Sequence, residues 1–174
     1  MASSALLDFH IQNGGISRYA KFEYFVDSIL PVYAPDLVVG DKSPFVLRLL
    51  SEFAEEVKAG LLKCEIAPCL GELRQSMKDT RWLIVSGGDQ AELREVFGKR
   101  GIAHYFNGGI YGSPTDKHSI VKDLLKSKEI QLPGLFLGDS RLDHEVAKAF
   151  GFDFIFFSQW TEFSDWQIYC QSNG

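Results

Sequence analysis

A chain of 174 residues, 45% hydrophobic and 24% charged, can bury one ordinary core with a small appendage, and it fits neither the disordered nor the fibrous classes. Its net charge of −5, with Lys and Arg scattered among Asp and Glu, offers no basic face to neutralise a run of phosphates, so nucleic acid is not an expected partner. No stretch approaches the ~18 apolar residues of a membrane span, and MASSALLDFH lacks the basic start and long apolar centre of a signal peptide. A cytoplasmic protein without membrane contact is expected.

In chain order, Asn13-Gly14-Gly15 is a turn signal, and Tyr19, Phe22, Phe25, Val26 and Ile29 then recur at helical spacing. This predicts a helix from about Ser17 to Leu30, with Ser17 as its cap. A second helix is predicted over Ser43 to Lys63, with Pro44 in its first turn and a buried stripe of Phe45, Leu49, Leu50, Phe53, Val57 and Leu61. A third, short helix follows near Leu70 to Met77. Cys64, Cys69 and Cys170 lack Cys-x-x-Cys spacing, so buried reduced thiols are expected and not a disulfide framework or zinc site.

The pattern changes at Trp82-Leu83-Ile84-Val85, an apolar run of strand type ended by Ser86-Gly87-Gly88 and followed by a helix through Leu93, Val96 and Phe97. Ile110-Tyr111-Gly112 reads as a short extended piece and Lys117 to Lys126 as a helix. Gly134 to Leu137 reads as a strand, with a helix after Asp143 and a last strand over Phe152 to Phe157. The aromatic tail, Ser158 to Gly174, is expected to pack on the sheet. Strands alternating with helices mean βαβ units, so the chain reads as a helical segment over 1–80 and a Rossmann-like, doubly wound α/β segment over 81–174.

Three chemically suggestive positions follow strand ends. Ser86 lies beside the amides of Gly87 and Gly88, where an anion could sit at a helix N-terminus. Lys117 opens a helix and supplies a compact positive charge for phosphoryl oxygens. Asp139 and Asp143, separated by one turn, can hold a hard cation through oxygen. Each has a plainer reading, as a turn serine, a solvated lysine or a pair of helix-capping acids. In a parallel sheet all of them would share one edge.

With these motifs the sequence resembles the haloacid dehalogenase superfamily, in its helical-cap branch that includes phosphoglycolate phosphatase and β-phosphoglucomutase. WLIVSGG ending at Ser86 is similar to the family's second motif, Lys117 in YGSPTDKHSIV to its third, and GDSRLD, with Asp139 and Asp143, to its fourth. HIQNGGISRYAKFEYF is similar to the start of the cap, where Arg18 and Lys21 would face a substrate. The resemblance implies magnesium-dependent hydrolysis of a small phosphorylated metabolite. It also implies an aspartate nucleophile, Ser86, Gly87 and Lys117 on the phosphate, and Mg2+ on Asp139 and Asp143.

The sequence departs from that family at the first motif, which should carry the nucleophile on an apolar strand before the cap. ALLDFHIQNGG offers only Asp8, with His10 where a second acid would stand. Without that strand, two neighbouring strands would have unpaired edges and the sheet a gap. The chain is therefore expected to be inactive or very weak alone. A homodimer or a complementing amino-terminal segment could repair the sheet. The competing expectation is a non-catalytic binding or assembly protein on the same fold.

Overall fold

The computed structural model describes residues 1–37 and 40–173, so the tail is followed as far as Asn173. Its amino-terminal part is helical: α1 (Ala2–Gln12), α2 (Arg18–Tyr24), a π turn (Phe25–Ile29), α3 (Leu30–Tyr33), α4 (Lys42–Lys63) and α5 (Leu70–Ser76). Ser17 caps α2 by accepting the Ala20 N–H at 3.3 Å, as its position predicts. The π turn lies just before Pro31, whose missing N–H cannot close the α-helical ladder onto Asp27, and the widened turn absorbs the break. α4 is capped by Asp41, one residue earlier than its predicted start allowed.

All described strands come later in the chain. β1 (Ile84–Asp89), α6 (Gln90–Lys99), a 3-10 turn (Ala103–Tyr105) and β2 (Ile110–Ser113) form the first unit. α7 (Lys117–Lys126) leads to the second, made of β3 (Leu135–Gly138), α8 (Arg141–Phe150) and β4 (Asp153–Phe156), and α9 (Trp166–Asn173) ends the description. β1 pairs in parallel with β2, and β3 in parallel with β4. The protein is thus a mixed α/β molecule, but the single doubly wound sheet expected from the sequence is replaced by two sheets of two strands each.

The first strand also differs from its expected span. Ser86, Gly87 and Gly88 do not end β1 but continue it, because Asp89 at its far end still pairs with Ser113 after an irregularity in register. The predicted turn is therefore the last half of a strand, and the side chain that opens α6 is Asp89, which accepts the Glu92 N–H at 2.9 Å.

The core lies where α6, α7 and α8 meet the strands. Val96, Val121 and Val146 each retain 1% or less of their surface, and burying a valine contributes about 1.5–3 kcal/mol. α8 packs on β3 and β4, α7 packs on β1 and α8, and α4 connects α2 with α6. On one face of the second sheet Leu135, Leu137 and Ile155 are about half exposed. Leu137 and Ile155 are register partners, so this is a continuous apolar face.

Two packing expectations need correction. Of the stripe predicted on α4, only Leu50 is buried and Phe53 is 38% exposed, because α4 meets α2 and α6 along a narrow seam. The cysteines are free as expected, but Cys64 and Cys69 are exposed: they lie in the connection after α4, outside the layer of buried valines. In the tail, Trp166 stacks on Phe156 with ring centroids 5.8 Å apart, whereas Trp160 is 55% exposed.

Candidate functional site

The carboxyl ends of β1, β2 and β3 gather most of the suggestive residues. At the end of β2 the Ser113 hydroxyl donates to the Gly87 carbonyl at 2.7 Å and is 1% exposed, which fixes the two strand ends together. Two residues after β3, Ser140 opens α8 with a capping box: its hydroxyl accepts the Asp143 N–H while the Asp143 carboxylate accepts the Ser140 N–H. The box orients Asp143 before any ligand is considered.

Asp143 is 3% exposed and has both oxygens committed. Oδ1 accepts from the Lys117 ammonium, and Oδ2 accepts from the Ser140 hydroxyl at 2.6 Å. Lys117 is itself 7% exposed, so the pair is a buried, hydrogen-bonded ion pair between the first turns of α7 and α8. Asp139 is different: it is exposed to solvent on one side, yet partial burial and the neighbouring Asp143 raise its carboxyl above the ordinary value, with Lys117 opposing.

The Asn13-Gly14-Gly15 turn inserts between these ends. A Cβ on Gly15 would stand 2.7 Å from the Ser140 hydroxyl, and one on Gly87 would stand 2.6 Å from the Gly15 carbonyl. Gly15 also has φ +87°, a conformation glycine adopts without strain. One chain thickness therefore separates Gly87 from Ser140, and the α1–α2 turn fills it.

Beside this turn, Lys21 on α2 is buried, its Nζ 2.9 Å from His10 Nδ1, and the opposite ring nitrogen of His10 lies 3.0 Å from Glu162. Burial holds the Lys21 ammonium below the usual lysine value; Glu162 opposes this and the charge of Lys117 adds to it.

The structure thus brings Gly87, Lys117, Asp139, Asp143 and Lys21 into one neighbourhood, and it places the other expected residues elsewhere. Ser86 turns its hydroxyl to the Gly88 N–H at 3.1 Å, a local bond within β1. The helix end expected to receive an anion is occupied by the Asp89 carboxylate, which also accepts from the Tyr19 hydroxyl at 2.8 Å. Arg18 forms two bonds to Glu92, at 2.7 and 3.1 Å, in a partly buried pair, and its guanidinium covers Phe53, so it is a packing residue between α2 and α6. Asp8 is exposed on α1, a helix and not the strand a nucleophile would need.

Sequence reasoning missed Ser113, Ser140 and Glu162, and it considered His10 only in place of the second acid of the first motif, not as a partner of Lys21. Ser140 was visible in principle, since Ser-x-x-Asp before an apolar run is a capping signature. The contact between His10 and Glu162 joins residues 152 positions apart, and no local pattern signals it.

The residues present do not fit a resident magnesium ion in this arrangement. Asp143 has an ammonium and a hydroxyl on its two oxygens, which leaves Asp139 as the one open carboxylate, and the described residues contain no group of three His, Cys, Asp or Glu able to share a metal ion. Among the described residues no helix is long and apolar enough to cross a membrane. No protein-family model, curated protein or solved structure matches the chain.

Proposed function

We propose that this chain is a haloacid-dehalogenase-like protein descended from phosphatases that hydrolyse small phosphorylated metabolites with magnesium, and that by itself it does not turn over phosphomonoesters. The observation that carries this reading is the buried Lys117–Asp143 pair at the carboxyl ends of the strands, with Asp139 beside it. Phosphate-handling groups in this order, after successive strands of an α/β chain, are what the resemblance leads one to expect. A doubly wound parentage is consistent with two parallel pairs whose helices α7 and α8 lie side by side.

Silence follows from what those residues can do. Lys117 gives one N–H to Asp143 and has further donors for a phosphoryl oxygen, so it can hold a phosphate, but neither it nor the committed Asp143 carboxylate attacks phosphorus. Asp8, the one nucleophile candidate, stands on an exposed helix. The second reading, a non-catalytic binding or assembly protein, is favoured by the two separate sheets: a strand from a second copy or a complementing segment, pairing with β1 and β3 in place of the Asn13-Gly14-Gly15 turn, would join them.

Hydrolysis of p-nitrophenyl phosphate with and without magnesium, together with the mass of the protein in solution, tests both. No turnover from a folded monomer supports the proposal. Magnesium-dependent turnover that is lost in Asp139→Asn overturns it and assigns an active phosphatase. A dimer without turnover favours assembly.

A further inference from the structure

Lys21, which the resemblance places on the substrate side of the cap, makes a contact with His10 and Glu162 whose geometry is that of an activated nucleophile. Glu162 accepts the proton on His10 Nε2, which leaves the lone pair of Nδ1 facing the Lys21 nitrogen at 2.9 Å. A nucleophile within hydrogen-bond reach of a base, with the base oriented by a third group, is the general arrangement for covalent catalysis, and a lysine buried beside a second cation is its amine version. Here burial is the main cause that lowers the Lys21 ammonium; Glu162 opposes it, and Lys117 on α7, held by Asp143 on α8, adds a smaller push in the same direction as burial. The three members come from α1, α2 and the segment before α9, so the arrangement is tertiary and not a by-product of one helix.

We infer that Lys21 is a reactive amine that forms a Schiff base with a small carbonyl compound, with His10 as its base and Glu162 as the group that orients His10. Lys21 retains only 9% of its surface, which restricts the partner to a small aldehyde or oxo acid. The step balances without any further reagent. His10 Nδ1 takes a proton from the ammonium, and the freed lone pair forms a C–N bond to the carbonyl carbon as the C=O π electrons move to oxygen. A nitrogen proton passes to that oxygen to give the carbinolamine. His10 then returns its proton to the hydroxyl, the C–O bond breaks, water leaves, and the nitrogen lone pair closes the protonated C=N bond.

The test uses the intact chain, limiting glyoxylate as the carbonyl probe and cyanoborohydride to reduce the adduct, read by intact mass and peptide mapping. A single adduct on Lys21 is expected, formed about tenfold or more slowly in His10→Gln and absent in Lys21→Arg. Adducts spread over the exposed lysines, or an adduct on Lys21 that forms as fast in His10→Gln, would overturn the inference. If Lys21→Arg does not fold, the rate in His10→Gln decides. Because no phosphate ester is used, the result is independent of the phosphatase reading.

Discussion

Lys117 and Asp143 form an ion pair with side chains only 8% and 5% exposed, joining the first turns of two adjacent helices. Breaking a buried pair from one side leaves an uncompensated charge in the interior, which is costlier than removing both members. Asp143→Ala is therefore expected to lower stability by about 3–5 kcal/mol, and Lys117→Met combined with Asp143→Leu should recover part of that loss. Urea denaturation of the single and double variants measures the difference. Equal losses in both would show that the ammonium left behind by Asp143→Ala carries no penalty in the interior.

Asp139 gives a pH dependence of opposite sign to that of a salt-bridged acid. Burial and Asp143 raise its folded-state value above the ordinary 3.8, so in the window just above 3.8 the folded protein binds more protons at this site than the unfolded chain does. Its contribution to stability then falls as pH rises through that window. Asp139→Asn is expected to raise the melting temperature at pH 7 and to flatten the change between pH 4 and neutrality. A variant that melts lower at pH 7 than the parent would contradict the assignment.

Glu95 behaves in the reverse way. Hydrogen bonds from Lys58 and then Lys99 lower its carboxyl from 4.5 to about 2, and the Lys58 bond connects α4 to α6. Its stabilising effect is present above 4.5 and is lost as pH falls towards 2. Carboxyl NMR should find a midpoint near 2 that moves up in Lys58→Met and in high salt, since both partners are open to screening.

Gly15 should tolerate no side chain. Gly15→Ala meets both a positive φ and the Ser140 hydroxyl at 2.7 Å, and is expected to lose about 1–3 kcal/mol. Gly98→Ala is the control: it lies within α6 with nothing within 4 Å of the added methyl group, so it should be neutral or stabilising by up to about 1 kcal/mol. Thermal melts of the two variants separate a steric slot from a general intolerance of this chain to glycine replacement.

What could be read in the sequence was local. The periodicity of Tyr19, Phe22, Val26 and Ile29 and the cap at Ser17 located α2 and the π turn that continues it, though not the break between them, and the apolar runs before Gly138 and after Gly151 located β3 and β4 within a residue or two. The extension of β1 through Ser86-Gly87-Gly88 was illegible because glycine pairs are turn signals unless a partner strand holds them extended, and that partner is β2. For the site, charge type was legible and pairing was not. Arg18 and Lys21 are three residues apart on one helix, yet Glu92 takes the first and His10 the second. Both choices are made by contacts distant in the sequence.

The division of the strands into two pairs bears on how the molecule opens. Each pair is closed by its own short crossover, β1 to β2 through α6 and β3 to β4 through α8, and the pairs are joined through α7 against α8 and the turn at Gly15 rather than through a shared ladder of hydrogen bonds. Contiguous units of this kind exchange their amide protons as separate cooperative blocks. The β3–α8–β4 block, with Leu135, Leu137 and Ile155 facing water, is expected to open first, and native-state hydrogen exchange would show it.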